Sequence, residues 1–248
     1  MTSFFEKKII NNRLTVRLFG IKLFSHKLKQ KFHKNYVVLI KQNGEKIYNP
    51  KIKGFSVNFR GNYNIVKLYE PIKYIGRLTI GLRNKNKVVI KNTKNDIQKL
   101  HIECMDYSKV FIDENFSIGE GIFIADYNSK INIGKDCMFS YQTVMQTGDE
   151  HIIYDKNINK FTGTNDIIIG NHVWVGFRSK ILKKSVVPDG CIVGLDSTVT
   201  KEFDVPNSVL AGIPAKIVKS DIRWDRKHYN EMKIQKLENE FIERFSKE

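Results

Sequence analysis

The stretch IGNHVWVGFRSKILKKSVVPDGCIVGLDSTVT (169–200) carries a branched apolar residue at every sixth position. Neither the 3.6-residue period of a helix nor the two-residue period of an ordinary strand produces this spacing. A sustained six-residue period predicts a parallel β-helix, in which each apolar residue points into a narrow prism. Gly or Pro often follows it, and the fifth position is mostly small, as sharp corners require. The register comprises Ile169, Val175, Ile181, Val187, Val193 and Val199, and is expected to continue through Val205, Ala211 and Ile217.

The same architecture is expected upstream of this block. Residues 36–102 consist of short β-rich runs broken by Gly and Asn, which we interpret as irregular coils of one solenoid. Residues 146–166 interrupt the pattern. An insertion of this length in a solenoid projects as a loop, and such loops commonly carry function. A second six-residue register comprises Ile112, Ile118 and Ile124, and then Ile133, Phe139 and Met145.

The chain is predicted to be all-β apart from its end. We expect a basic N-terminal region (1–35), a β-helix domain (36–220) that includes the projecting loop, and a C-terminal helix (221–248). In the first region, LTVRLFGIKLF alternates apolar residues around Gly20, which predicts a hairpin. The helix is expected to cap the open strands of the last coil. Its apolar face comprises Ile234, Leu237, Phe241 and Phe245.

Charge is distributed unevenly along the 248 residues. The net charge is +16, and residues 1–53 alone hold 13 Lys and Arg against Glu6 and Glu45, a surplus of +11. This surplus indicates an anionic partner, either a glycan acceptor or a membrane surface that binds the protein peripherally, unless it is compositional drift. No helix-turn-helix, zinc-finger or RNA-binding signature is present, so a nucleic-acid partner is not expected.

Compartment and metal content follow from what the sequence lacks. No apolar run approaches the ~18–20 residues that span a bilayer, and MTSFFEKKIINN lacks the apolar core of a signal peptide. Cys104, Cys137 and Cys191 have neither metal-ligand nor redox spacing. We therefore expect a reduced, cytoplasmic protein without a metal site, located at the inner face of the membrane if the basic region binds lipid.

Three motifs together resemble the hexapeptide-repeat acyltransferases, which are left-handed parallel β-helix enzymes that use acetyl-CoA. They are IGNHVWVG (169–176), ILKKSVVPDGCIVGLDSTVTKEF (181–203) and AGIPAKIVK (211–219). GDEHIIYD (148–155) and GNYNIVKL (61–68) resemble the branch that O-acetylates sialic acids and other bacterial surface polysaccharides. The resemblance implies a homotrimer whose active sites lie between neighbouring prisms.

The resemblance also implies the catalytic residues. His151 lies in the projecting loop, where the family carries its catalytic histidine, and an imidazole with a pKa near ~6.5 can accept a proton from a sugar hydroxyl. Asp149 is expected to orient that imidazole, although a backbone carbonyl could do so equally well. Trp174 is expected to border the active site, with packing between protomers as the alternative. His172 is interpreted as mainly structural.

The donor site is likewise implied by the family geometry of three hexapeptides per coil. Residues eighteen apart then stack at the ~4.8 Å strand spacing. On this geometry Gly176, Gly194 and Gly212 form a column that leaves room for the pantetheine arm of acetyl-CoA. Ala211 opens the terminal motif beside that column. Lys216 and Lys219, at its far end, are expected to bind the CoA phosphates.

The predicted reaction is direct acetyl transfer to a sugar hydroxyl, with an oxyanion held by a backbone N–H near Trp174–Gly176. The basic charge fits a sialic acid or another acidic capsule sugar, and a neutral sugar with membrane docking through the same charges fits nearly as well. The sequence leaves open which sugar and which hydroxyl is acetylated. An N-acetyltransferase acting on an amino sugar nucleotide would share the fold. A non-catalytic scaffold would need neither His151 nor AGIPAKIVK. A zinc carbonic anhydrase of similar shape needs three ligand histidines, and only His151 and His172 lie in the relevant region.

Overall fold

The computed structural model describes residues 34–227 apart from 152 and 158, and three backbone strands within residues 5–27. These three strands form an antiparallel sheet of their own. The second and third pair with Leu18 opposite Ile21, so the predicted hairpin around Gly20 is confirmed. The strands are β1 (Phe5–Ile10), β2 (Arg13–Leu18) and β3 (Ile21–Lys27).

Residues 36–125 form the wide coils of a solenoid. Most strand pairs here are parallel, and Leu68, Ile90 and Ile112 are aligned, so the two coils between these residues contain 22 residues each. The strands are β4 (Tyr36–Ile40), β5 (Lys46–Tyr48), β6 (Phe55–Phe59), β7 (Ile65–Tyr69), β8 (Ile72–Leu82), β9 (Lys87–Ile90), β10 (Thr93–Cys104), β11 (Lys109–Ile112) and β12 (Ser117–Ala125).

The later coils are narrower and carry the shortest strands. Ile169 aligns with Val187 in a coil of 18 residues, the length of three hexapeptides. The strands are β13 (Lys130–Ile133), β14 (Met138–Phe139), β15 (Thr143–Gln146), β16 (Ile153–Asp155), β17 (Lys160–Thr162), β18 (Ile167–Ile169), β19 (Trp174–Val175), β20 (Lys180–Leu182), β21 (Val186–Val187), β22 (Ile192–Val193), β23 (Thr198–Val199), β24 (Val209–Gly212) and β25 (Ala215–Lys219).

Three parallel ladders form the walls of the prism. The first contains β4, β7, β9, β11, β13, β18 and β21. β12 turns a corner, since its start pairs with β14 and its end with β15. The second ladder therefore continues through β14, β19, β22 and β24, and the third through β15, β20 and β23. β10 turns the same corner one coil earlier, and β8 does so two coils earlier.

The core confirms the hexapeptide register from Ile169 to Val199, where every sixth residue is buried. The register fails at Ile124, because β12 turns its corner and Phe123 and Ala125 point inward instead. It fails again after Val199. The predicted inward residues Val205 and Ile217 are 38% and 37% exposed, and Ala211 is half-buried. Phe203, Leu210 and Ala215 are buried in their place.

The physical reason for the second failure is a shorter final coil. Val193 pairs with Leu210, so this coil contains 17 residues in the second ladder. β25 then reverses direction and pairs antiparallel with β24. A six-residue register cannot survive either change.

The segment 221–227 contains no helix and runs back across earlier coils. Ile222 N–H donates to the Asn207 carbonyl at 2.9 Å, and Arg226 Nε donates to Asp136 Oδ1 at 2.7 Å. The predicted helix therefore does not begin at Asp221, and residues 228–248, with the rest of that prediction, lie outside the described residues. Within the described part of the chain, no helix is long and apolar enough to cross a membrane.

Candidate active site

The segment between β15 and β18 leaves the prism and folds into the antiparallel hairpin β16–β17. Three hydrogen bonds hold its base against the corner between the third and first ladders. Thr164 Oγ1 donates to the Tyr127 carbonyl at 2.7 Å. Lys183, from the next coil, donates to the Asp149 carboxylate and to the Gly163 carbonyl. The loop that carries GDEHIIYD is therefore fixed by the solenoid on both sides.

His151 lies at the start of this hairpin with an exposed side chain. It lines an open cleft of about 710 Å³, which Arg83, Tyr127 and Thr164 also line. Its backbone N–H donates to the Asp149 carbonyl at 2.6 Å, whereas its ring forms no hydrogen bond to any described residue. The imidazole is thus available to a hydroxyl that enters the cleft.

The Asp149 carboxylate does not contact the His151 ring. Its Oδ2 accepts hydrogen bonds from Lys183 Nζ and from Thr162 Oγ1, the latter at 3.2 Å. Asp149 therefore does not orient the His151 imidazole as predicted, and instead connects the loop to the next coil. No local pattern in the sequence indicates this pairing, because Lys183 is 34 residues further along the chain than Asp149.

Asp126 forms the floor of the cleft and is only 5% exposed. Its Oδ2 has no hydrogen-bond partner in the described part of the chain. Burial, followed by the charges of Glu150 and Asp149, raises the pKa of this carboxyl above its usual range. A Cβ at Gly148 would lie 2.7 Å from that oxygen, so the glycine is what lets the loop pass over the acid.

Trp174 lies on the second ladder, in an aromatic group. Its ring is 5.9 Å from that of Trp224, which stacks on His172 at 4.0 Å and 9°. His172 Nδ1 bonds Asp136 Oδ2 at 2.7 Å, and the Trp224 indole donates to the His172 carbonyl at 3.0 Å. These contacts match the structural role predicted for His172. No local pattern in the sequence indicates this role of Trp224, which is 52 residues further along the chain than His172.

The glycine column exists, but its third member differs from the prediction. Trp174–Val175 pairs with Ile192–Val193, which places Gly194 beside Gly176. The shorter last coil then aligns Ala211, rather than Gly212, with Gly194. Gly212 instead lies in the turn between β24 and β25 with a φ of 104°. A Cβ at Gly194 would be 3.2 Å from the Ala211 Cβ, which confirms that the two are neighbours.

The predicted oxyanion donors are already engaged. Trp174 N–H donates to the Cys191 carbonyl at 3.0 Å and Gly176 N–H to the Val193 carbonyl at 2.8 Å. Neither can hold an oxyanion without breaking the ladder. Lys216 and Lys219 lie on β25 and are exposed, beyond the end of the glycine column.

The cysteines are buried packing residues. Burial raises the pKa of the Cys104 and Cys137 thiols to about 12 and also raises that of Cys191. At neutral pH these thiols are protonated and are poor nucleophiles. Among the described residues, no group of three or more His, Cys, Asp and Glu side chains is arranged to hold a metal ion.

One chain therefore carries two separate parts of the predicted site. His151 and Asp149 follow the third ladder, on the loop that leads to the first. Trp174, Gly176, Gly194 and Ala211 belong to the second ladder. The sequence does not indicate that Asp126 and Lys183 belong to the site, because only the stacking of the coils brings them to it.

The chain is similar in sequence to known proteins. The sequence is 37% identical over 173 residues to the polysialic acid O-acetyltransferase of Neisseria meningitidis, covering 68% of this chain and 79% of that protein. It is 35% identical over 134 residues to the polysialic acid O-acetyltransferase of Escherichia coli O1:K1 / APEC, covering 54% and 43%. No protein-family model matches the sequence.

Two solved structures superimpose over most of the solenoid. The polysialic acid O-acetyltransferase OatWY has a TM-score of 0.63 at 30% identity, covering 77% of this chain and 93% of the other. The polysialic acid-specific acetyltransferase NeuO has a TM-score of 0.57 at 26% identity, covering 77% and 100%. The fold is thus the left-handed parallel β-helix of a hexapeptide-repeat acyltransferase, and the protein is an enzyme of that class. The chain belongs to the polysialic acid O-acetyltransferase family.

Proposed function

We propose that the protein transfers acetyl from acetyl-CoA to a hydroxyl of a sialic acid in an anionic capsular polysaccharide. The relatives support O-acetylation of such a polymer and do not favour the amino sugar nucleotide or scaffold alternatives. The observation that carries the proposal is the His151 imidazole, exposed at an open cleft on a loop anchored by Lys183.

The site is completed by a neighbouring chain in a homotrimer. His151 and the glycine column lie on different ladders of one prism, so a cleft that contains both needs a second copy. A three-fold assembly would bring the loop of one protomer to the second ladder of the next, because cyclic oligomers pair unlike surfaces of identical chains.

His151 acts as the general base. It removes the acceptor hydroxyl proton as the hydroxyl oxygen bonds to the thioester carbonyl carbon. The Trp174 indole N–H has no acceptor among the described residues and is a donor only, so we assign it to the developing oxyanion. When the intermediate collapses, the carbon–sulfur bond breaks and the imidazolium returns its proton to the CoA thiolate.

The column of Gly176, Gly194 and Ala211 holds the pantetheine arm. Two of its three members lack a side chain and the third has only a methyl group, so a thin ligand can approach the backbone. Lys216 and Lys219 are exposed beyond the column and are placed to meet the CoA phosphates as point charges.

His151→Ala tests the assignment. We expect turnover to fall about 10²–10⁴-fold while acetyl-CoA affinity is unchanged, since a general base contributes to the chemical step. His101→Ala is the matched control, because His101 lies on β10, away from the loop, and bonds Thr79 Oγ1. Activity above half of wild type in a folded His151→Ala variant would exclude the mechanism.

A further inference from the structure

A row of large side chains runs along the corner that leads to the His151 cleft. Lys34, Tyr63, Lys85 and Tyr107 occupy successive coils at the same corner position, as the strand register after each of them requires. One coil further, Asn128 occupies the corner position, and Tyr127 beside it lines the cleft itself. We call Lys34, Tyr63, Lys85, Tyr107 and Tyr127 the tyrosine–lysine column.

The column is built of residues that the backbone does not favour. Lys34, Tyr63, Lys85 and Tyr107 have φ values of 61°, 63°, 57° and 65°. Bulky side chains are uncommon in this left-handed region, where Asn, Asp and Gly are least strained. At the matching corner before the second ladder, four of the five residues follow that preference, namely Asn115, Asp136, Gly190 and Asn207, and His172 is the exception.

The side chains of the column face solvent and contact one another. Tyr63, Tyr107 and Tyr127 are 50%, 43% and 59% exposed. Lys34 Nζ is 5.6 Å from the centre of the Tyr63 ring, and Lys85 Nζ is 4.8 Å from that of Tyr107. The Tyr107 and Tyr127 rings meet edge to face at 5.7 Å. The result is a strip of rings and cations rather than scattered surface residues.

The backbone beneath the column is rigid. Asn64 Oδ1 accepts the Asn86 N–H at 2.9 Å, and Asn86 Oδ1 accepts the Ser108 N–H at 2.7 Å. Each residue directly follows one of the column corners and is fully or almost fully buried. The rings are therefore held at the coil spacing of about 4.8 Å, and Lys34 to Tyr127 covers about 19 Å.

We propose that the tyrosine–lysine column is an extended binding track for the polymer acceptor, leading one anionic polysaccharide chain to His151. The proposal rests on the proposed function for the identity of the polymer. The rings offer flat faces for sugar rings, and Lys34, Lys85 and the nearby Arg83 offer charge to the carboxylates of the polymer. Neither Lys34 nor Lys85 forms an ion pair with a described carboxylate.

The charge of the cleft itself differs from that of the track. Asp106, Asp126, Asp149 and Glu150 line the cleft together with Arg83. Lys183 pairs with Asp149, and Asp106 accepts two hydrogen bonds from Asn84 at 2.8 and 3.0 Å. The acids surround His151, and the cations lie along the column. The polymer would therefore be bound through sialic acids that are distant from His151, and only one hydroxyl would be presented to the imidazole. The track thus favours a long acceptor over a single sugar.

The double variant Tyr63→Asn/Tyr107→Asn tests the track in the full-length enzyme. Asn tolerates the left-handed conformation, so both rings are removed without added backbone strain. Tyr74→Asn is the control, because Tyr74 is a similarly exposed tyrosine on β8, away from the column.

We expect the affinity for labelled polysialic acid to fall about 2- to 10-fold for each ring, the range of a lost aromatic contact. The KM for acetyl-CoA and turnover of a sialic acid monomer should stay at wild-type values. Lys85→Gln should reduce the salt dependence of polymer binding. The Tyr74→Asn control should bind the polymer like wild type.

Unchanged polymer affinity in the folded double variant would overturn the track. Dissociation of the oligomer by the same substitutions would also overturn it, by placing the column in a subunit interface. The proposed function fails separately, if wild type binds polysialic acid through the column but acetylates no sialic acid polymer.

Discussion

Gly194 offers a graded test of the donor groove. A Cβ there would lie 3.2 Å from the Ala211 Cβ and 3.3 Å from Ser197 Oγ, both side-chain atoms that can shift by a few tenths of an ångström. We expect Gly194→Ala to cost at most about 1 kcal/mol of stability, since small-to-large strain is partly offset by the entropy that glycine loses on folding. At Gly176 a Cβ would lie 2.7 Å from Leu195 N and 2.8 Å from Val193 O. Those atoms are backbone, so Gly176→Ala should cost about 1–3 kcal/mol or more.

The assay is the initial rate of CoA thiol release at varied acetyl-CoA. A methyl at Gly194 should raise the KM for acetyl-CoA about tenfold, equivalent to ~1.4 kcal/mol, and Gly194→Val should raise it further. The KM for the polymer should not change. Gly163→Ala is the control for the donor KM, because a Cβ there meets no atom within 4 Å and the residue lies off the column. A folded Gly194→Val enzyme with the wild-type acetyl-CoA KM would refute the groove.

Three further outcomes are expected. Trp224→Ala should lower the melting temperature, because it removes a mostly buried ring stacked on His172. A loss of about 2–4 kcal/mol in the free energy of unfolding would lower it by roughly 4–16 °C. An unchanged melting temperature would show that the segment 221–227 does not stabilise the fold. The raised pKa of Asp126 means that its contribution to stability is full below about pH 4 and is lost as pH rises through the native pKa. Asp126→Asn removes that loss, so its melting temperature relative to wild type should rise between pH 4 and 7; a constant difference would argue against the shift. Replacing Lys27, Lys29, Lys31 and Lys34 by Gln should raise the polymer KM at low salt only, with level acetyl-CoA kinetics, whereas equal kinetics and equal binding to anionic vesicles would leave the charge without a role.

The sequence predicts the solenoid best where the coil length is a multiple of six. From Ile169 to Val199 each inward position recurs because 18-residue coils keep three hexapeptides in register. After Val199 the coil has a different length, which depends on where Phe203 and Leu210 pack in the core. That choice is made by packing against the previous coil, and no local pattern reveals it.

The candidate site was predictable only in part for the same reason. His151 and Gly194 stand in motifs that the sequence displays. Lys183 and Trp224 act across 34 and 52 residues, and their partners are set by coil stacking and by the path of the segment 221–227. The shift from Gly212 to Ala211 in the column is the direct consequence of one residue fewer in the last coil.

We propose that two chains share each acetyltransfer site, with His151 from one protomer and Trp174 from its neighbour. Co-expression of His151→Ala with Trp174→Ala tests it most directly, because each variant alone should be inactive. In randomly mixed trimers about one site in four combines an intact His151 with an intact neighbouring Trp174. We therefore expect co-expression to recover about a quarter of wild-type activity. No recovery in mixed trimers, verified by two different affinity tags, would contradict it.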